Sequence, residues 1–197
     1  MGIAEQKAAL RTQIKSQFKA VYTKENRALL SAQITAHVTA LAQYRAAHTL
    51  FCFVGTAHEP DTLPLIRQAL ADGKRVAVPL CTGPGKMQAR QITTPADLTG
   101  TGAFGILEPL PDCPVIAKSH IDFALVPCLA CDATGRRLGH GGGYYDRYLA
   151  GAAFGWAVIC PEAFLLPDIP AGQHDLKATY IVTEKRLLQT PLAPVNQ

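Results

Sequence analysis

The chain has 197 residues, 48% of them hydrophobic and 17% charged, with a formal net charge of +4. This is the composition of an ordinary globular protein, long enough for one domain with a sizeable core. It excludes a charge-driven nucleic-acid binder, because no Lys/Arg block or basic-aromatic interleaving is present, and it excludes a membrane span, because no apolar run is long enough. The first fifteen residues lack the apolar core of a signal peptide, and Gln6 stands where a myristoylation signal needs Ser or Thr. A cytoplasmic protein is therefore expected.

Ile3, Leu10, Ile14, Phe18 and Val21 recur at near-helical spacing and predict an amphipathic helix over residues 3 to 21. Lys7, Arg11 and Lys15 line another face of it. A second helix is predicted from Lys24 to Ala42, with Leu30, Ile34, Val38 and Leu41 as its buried stripe. Thr49 to Val54 (TLFCFV) reads as a strand. After it Asp61 is placed to cap a helix reaching Asp72, with Pro64 in the first turn. Glu59 lies just past a strand end, where open α/β sheets hold ligands. Strands are predicted from Lys74 to Leu80 and from Lys86 to Ile92. Thr93 to Pro114 reads as a long connection with one short helix at Pro95 to Leu98, and Phe104 within it is suited to stacking on a ring. Phe154 to Cys160 and Thr179 to Thr183 complete the strands, and the tail from about Pro191 is expected to be disordered.

The densest chemistry lies between Ile121 and Leu149. An apolar run, Ile121 to Val126, predicts a buried strand that Pro127 ends. A loop with five glycines follows (Gly135, Gly139, Gly141, Gly142 and Gly143), and then Tyr144, Tyr145, Asp146 and Arg147 open a helix. Strand, glycine-rich loop, helix is an arrangement that offers main-chain N–H groups to an anion, since no Cβ blocks close approach. Arg136 and Arg137 add fixed charge and forked donors within the loop. Neither G-x-x-x-x-G-K-[ST] nor G-x-G-x-x-G occurs in it. Of the six cysteines, Cys128 and Cys131 form C-x-x-C; no second such pair exists, so reduced, packed thiols are expected.

The run GRRLGHGGGYYDRYL resembles the signature of the 5-formyltetrahydrofolate cyclo-ligases, also called 5,10-methenyltetrahydrofolate synthetases. The resemblance rests on Pro127, Asp132, Gly135, Arg137, Leu138, Gly139, Gly141, Gly143, Tyr144, Tyr145, Asp146 and Leu149. It extends to Lys7, Leu10 and Arg11, similar to a nucleotide-binding K-x-x-L-R element, and to Glu59, Asp61 and Thr62, similar to a folate-contacting E-x-D-T element. His174 and Asp175 match an H-D pair before the last strand, whereas Thr179 stands where the family usually has aspartate. The resemblance also implies an apolar residue as the commoner choice at the second cysteine of C-x-x-C, in line with packing.

Strands alternate with helices throughout, which predicts a single α/β domain over residues 1 to 197 with a mainly parallel sheet. A monomer is expected, and the resemblance implies a three-layer αβα Rossmann-like sandwich. It implies that ATP and 5-formyltetrahydrofolate are converted to 5,10-methenyltetrahydrofolate, ADP and phosphate, with Mg²⁺ as cofactor. ATP is expected at Lys7, Arg11, Gly135, Arg136, Arg137, Leu138, Gly139, His140, Gly141, Gly142 and Gly143. Val54, Glu59, Tyr144 and Tyr145 are expected to bind the folate, Asp146 and Asp175 the metal, and Arg137 and Tyr145 to be catalytic. His140, read from the residues alone, is a solvent-side loop position. Another ATP-dependent phosphotransferase and a non-catalytic nucleotide sensor are the alternatives on the same scaffold.

Overall fold

Apolar runs and helical stripes alternate along the chain and fold into a mixed α/β structure with a central sheet and flanking helices. The computed structural model describes residues 2–191 except 103, 104 and 174. Phe104, His174 and the tail beyond 191 thus lie outside the described residues.

Helix α1 (Ile3–Val21) matches the predicted span, and Glu5 accepts a hydrogen bond from the Gly2 N–H at its start. The second predicted helix is divided. Asn26 and Thr23 exchange side-chain and main-chain hydrogen bonds in a turn that delays α2 to Arg27–Ala40. Leu41 is extended, at φ −62° and ψ 131°, and separates α2 from α3 (Ala42–Ala46). Strand β1 (Thr49–Cys52) is buried at all four positions. Helix α4 (Leu63–Ala71) begins one residue later than a cap at Asp61 requires: Thr62 holds the cap position, and Asp61 Oδ1 accepts the Leu63 N–H at 3.1 Å from outside it. The Thr62 hydroxyl is turned inward to the Phe53 carbonyl.

Strands β2 (Arg75–Gly83) and β3 (Lys86–Ile92) form a hairpin. The long connection after it is more ordered than its Gly/Pro content suggests. A 3₁₀ turn at Pro95–Asp97 leads into a two-stranded ribbon, β4 (Leu98–Thr101) with β5 (Leu107–Pro109), before β6 (Val115–Ile116). Then come β7 (Phe123–Pro127), β8 (Ala130–Asp132), β9 (Arg137–Leu138), α5 (Tyr144–Leu149), β10 (Gly155–Ile159), β11 (Leu165–Leu166), β12 (Tyr180–Val182) and β13 (Leu187–Gln189).

The central sheet has the order β13-β12-β10-β7-β1-β2-β3-β6. From β12 to β2 every pairing is parallel; the pairs made by β13, β3 and β6 are antiparallel. Alternation along the parallel strands splits the apolar residues into two cores. Leu50, Phe123, Leu125, Ala157 and Ile159 face one side with Ile34 and Val38 of α2, Leu41 just beyond it, and Leu65, Ile66 and Ala69 of α4. Phe51, Ala124, Val126, Trp156 and Val158 face the other with Ile14 and Phe18 of α1 and Leu149 of α5.

A small sheet, β11-β8-β9, stands beside the central one and carries the start of the glycine-rich loop. Its hairpin is organised by Asp132, which is 1% exposed. Asp132 Oδ1 accepts hydrogen bonds from the Thr134 N–H and hydroxyl at 2.8 and 2.6 Å, and Oδ2 accepts one from the Ile169 N–H at 3.0 Å. Gly135 closes the turn at φ +86°, and a Cβ there would lie 2.5 Å from the Ala178 carbonyl oxygen. Removing the Asp132 carboxylate strands the buried Ile169 N–H and the part-buried Thr134 and Arg136 donors, so Asp132→Ala should cost about 2–4 kcal/mol. Urea unfolding should show a lower midpoint with unchanged slope; an unchanged midpoint would show that the hairpin does not depend on this carboxylate.

Candidate active site

The loop from Gly139 to Gly143 is held by its carbonyls. Arg11 Nε donates to the Gly139 carbonyl at 2.9 Å, fixing α1 to the loop. Arg147, one turn into α5, donates to the Gly142 carbonyl through Nη2 and to the Gly85 carbonyl through Nε at 2.9 Å. That guanidinium therefore ties the loop to the β2–β3 turn. Gly85 and Gly143 both have positive φ, +67° and +65°, and a Cβ on either would strike the Arg147 side chain. Across a planar trans peptide the next N–H points opposite to the carbonyl, so the N–H groups of His140 and Gly143 are directed away from the two arginines. Among the described residues no acceptor meets the N–H groups of His140, Gly141, Gly142 or Gly143. A run of open main-chain donors with cationic neighbours is an anion-binding surface.

Two ion pairs lie close by. Lys7 Nζ is 2.5 Å from Asp175 Oδ2, which also accepts the Gly172 N–H. Arg137 Nη2 is 2.7 Å from Asp146 Oδ1. The Arg137 side chain is only 4% exposed, and its guanidinium carbon sits 5.8 Å from the Tyr145 ring centre and 5.9 Å from that of Trp156. Sequence reasoning places this guanidinium in the open loop; the structure places it beneath, because β9 carries its stem into the core opposite Cys131. Burial pushes the Asp175 carboxyl up, but Lys7, the Gly172 amide and the more distant Arg137 together hold it below the ordinary aspartate value.

Asp146 Oδ2 and Asp175 Oδ1 have no partner among the described residues. Two hard-oxygen carboxylates, each with one oxygen available, fit a cation such as Mg²⁺, which takes one or two carboxylates and completes its shell with water and phosphate.

The third element is Glu59, whose side chain is 7% exposed. Its Oε2 accepts the Thr56 N–H at 2.9 Å, and its Oε1 lies 3.3 Å from His140 Nε2. Burial pushes the Glu59 carboxyl up, but the His140 and Thr56 contacts outweigh it and hold the group below its usual range. The loop that presents Glu59 is pinned by Arg27, which donates to the Glu59 and Thr56 carbonyls at 2.8 and 3.0 Å. Val54 is buried at its base. Tyr145 packs its ring edge-on to Phe51 at 6.5 Å, and burial together with Glu59 pushes its hydroxyl well above the ordinary tyrosine value. The ring of Tyr144 lies over Gly142, where a Cβ would come within 2.8 Å of it.

The structure thus brings together Lys7, Arg11, Gly139–Gly143, Tyr144, Tyr145, Asp146, Asp175 and, through His140, Glu59. It does not bring Gly135, Arg136 or the Leu138 side chain to them. Gly135 packs on Ala178, Arg136 pairs with Asp168 at 3.0 Å, and Leu138 is fully buried in the core. Sequence reasoning missed Arg27 and Arg147 as holders of the two loops. Arg147 carries a legible signal, a cation four residues after Gly143 and so one helical turn on; Arg27 carries none.

Residues 3–184 match the family described as 5-formyltetrahydrofolate cyclo-ligases. The 5-formyltetrahydrofolate cyclo-ligase of Mycolicibacterium smegmatis is 35% identical over 151 residues, 72% of this chain and 76% of that one. That of Escherichia coli K12 is 31% identical over 150 residues, 72% of this chain and 80% of that one. The solution structure of the Aquifex aeolicus 5,10-methenyltetrahydrofolate synthetase has a TM-score of 0.83 and 26% identity, covering 97% of this chain and 96% of that one.

The depressed Glu59 carboxyl makes stability depend on pH with a definite sign. Its contribution is complete above the ordinary glutamate value of 4.5 and is lost as pH falls through the lower folded value. Glu59→Gln should therefore flatten the acid limb of a stability-against-pH curve measured by urea unfolding. An acid limb as steep as that of the unsubstituted chain would show that His140 and Thr56 do not stabilise the ionised form.

Proposed function

The chain belongs to the 5-formyltetrahydrofolate cyclo-ligase family, and from this premise we propose that it closes 5-formyltetrahydrofolate to 5,10-methenyltetrahydrofolate at the expense of ATP. The observation that carries the proposal is the run of N–H groups from His140 to Gly143 that meet no acceptor among the described residues, those of His140 and Gly143 turned away from Arg11 and Arg147. In this reading the triphosphate lies along them, with Lys7 and Arg11 as its side-chain cations. Gly135, Arg136 and Leu138 act behind this surface by holding the hairpin. The folate lies against Val54, Glu59, Tyr144 and Tyr145, where the ionised Glu59 accepts N–H donors of the pterin. His140, touching Glu59 and belonging to the glycine loop, joins the two halves.

The formyl oxygen attacks the terminal phosphorus, ADP leaves, the neighbouring amine adds to the activated carbon with loss of its proton, and phosphate departs. The protein's task is positioning and charge neutralisation. Lys7 and Arg11 neutralise phosphate oxygens. Arg137 orients Asp146 from beneath and lends its field to the site. Tyr145 stays protonated and serves as a donor, not as a base. Mg²⁺ held by Asp146 and Asp175 supplies further neutralisation of phosphate charge when bound. The two-faced core supports a three-layer Rossmann-like sandwich acting as one domain, and we take the enzyme to be a cytoplasmic monomer; no helix among the described residues is long and apolar enough to cross a membrane.

The test is the absorbance of the methenyl product with ATP, Mg²⁺ and 5-formyltetrahydrofolate, alongside ADP release. Product and ADP should appear in equal amounts; ADP without methenyl product would point to another acceptor. Lys7→Gln and Arg11→Gln should each raise the KM for ATP roughly tenfold or more, the worth of one charge-assisted contact, and leave the KM for the folate within about twofold. An unchanged KM for ATP would remove those residues from the phosphate site.

A further inference from the structure

Three cysteines that the proposed chemistry does not use converge in the core. Strands β7 and β10 are parallel neighbours, and their register sets Pro127 beside Ile159. The residues that follow, Cys128 and Cys160, therefore emerge side by side. The chain turns at Leu129, and β8 returns Cys131 to them, with Leu165 of β11 paired to it on one side and Arg137 of β9 on the other. The three sulfurs lie within 4.8 Å of one another. All three residues are buried, and none forms a disulfide. C-x-x-C alone shows two of these thiols; Cys160, 29 residues after Cys131 in the chain, is supplied by sheet register.

We propose that Cys128, Cys131 and Cys160 form a buried three-sulfur site for a soft metal ion, copper(I). An ion bonded to thiolates at about 2.3 Å holds three sulfurs roughly 4 Å apart, so the sulfurs need draw in by less than about 1 Å. Their present hydrogen bonds are weak: Cys128 Sγ to the Ile159 carbonyl and Cys160 Sγ to the Pro161 and Phe164 carbonyls, all at 3.5 Å. Among the described residues no His, Asp or Glu joins the set. The nearest acid in the chain, Asp132, is committed to its hairpin. Structural zinc almost always takes four ligands, whereas copper(I) is selected by soft sulfur donors and needs fewer. Each coordinated thiol releases its S–H proton. Arg137 stands directly opposite Cys131 on the β8–β9 hairpin and so on the same face, which puts a cation near the thiolate set while its Nη2 stays paired with Asp146. The bound ion would staple the ends of β7 and β10 to the hairpin that leads into the glycine loop.

The test uses the full-length chain with Cys81→Ser, which removes the partly exposed thiol. It is unfolded and refolded without oxygen, with and without copper(I) supplied as its bicinchoninate complex. One copper per chain should survive gel filtration and saturating ATP·Mg²⁺, X-ray absorption should show three sulfurs at about 2.2–2.3 Å, and the melting temperature should rise by several degrees. Cys160→Ser should lower copper retention at least tenfold, while Cys113→Ser should leave it unchanged. Loss of copper on gel filtration, nitrogen or oxygen ligands in the spectrum, equal retention by Cys160→Ser, or displacement of copper by an equivalent of Zn²⁺ would each overturn the proposal. Should Cys160→Ser fail to fold, the absorption spectrum of the Cys81→Ser chain alone decides.

Discussion

A main-chain carbonyl gripped by a guanidinium turns the following N–H the other way, and the candidate site depends on that constraint twice. Arg11 reaches across from the first helix to Gly139, and Arg147 reaches back from the helix that the loop begins. With both carbonyls engaged, the His140 and Gly143 amides face away from the arginines, and the N–H groups from His140 to Gly143 meet no acceptor among the described residues. Glycine is needed here less for its own flexibility than for the space its missing Cβ gives to the arginines: at Gly85 and Gly143 that space is filled by Arg147. The loop is a rigid presentation of donors, and its preorganisation is what a phosphate site requires.

The charges around it are arranged in exchangeable pairs. Lys7 is matched by Asp175 and Arg137 by Asp146, so neither carboxylate stands as an uncompensated charge. On the proposed reading, a triphosphate would take Lys7 as a partner and Asp175 would help hold the accompanying cation, so that no buried charge is left alone. Arg137 cannot swap in this way. It is packed between Tyr145 and Trp156 and acts from below, setting the place of Asp146 and the field at Asp175. The Glu59–His140 contact gives the loop that presents Glu59 a matching dependence on the glycine loop.

Much of this was legible in the residues, and the exceptions have physical causes. The central strands announced themselves by apolar runs: Lys86–Ile92 falls where alternation places it, and β1, β7 and β10 fall within a residue or two. The short strands β8, β9 and β11 were not legible, because two or three residues carry no periodicity; they exist through pairing across the chain. The ribbon of β4 and β5 was hidden by the Gly and Pro residues around it. The break at Leu41 has no Gly or Pro to mark it. Within the candidate site, the glycine motif treats the whole stretch as uniform. Only the fold separates Gly135, used against Ala178, from Gly139–Gly143, and only the register of β9 shows that Arg137 points inward. The third cysteine beside C-x-x-C is likewise a product of sheet order, invisible to spacing.

The most direct measurement is a crystal structure of the chain with a non-hydrolysable ATP analogue and Mg²⁺. The triphosphate should accept hydrogen bonds from the N–H groups between His140 and Gly143, with Lys7 and Arg11 at its oxygens and the Arg147 contacts to Gly142 and Gly85 intact. A triphosphate bound elsewhere, with those amides facing only solvent, would contradict the reading of the loop on which the proposed activity rests.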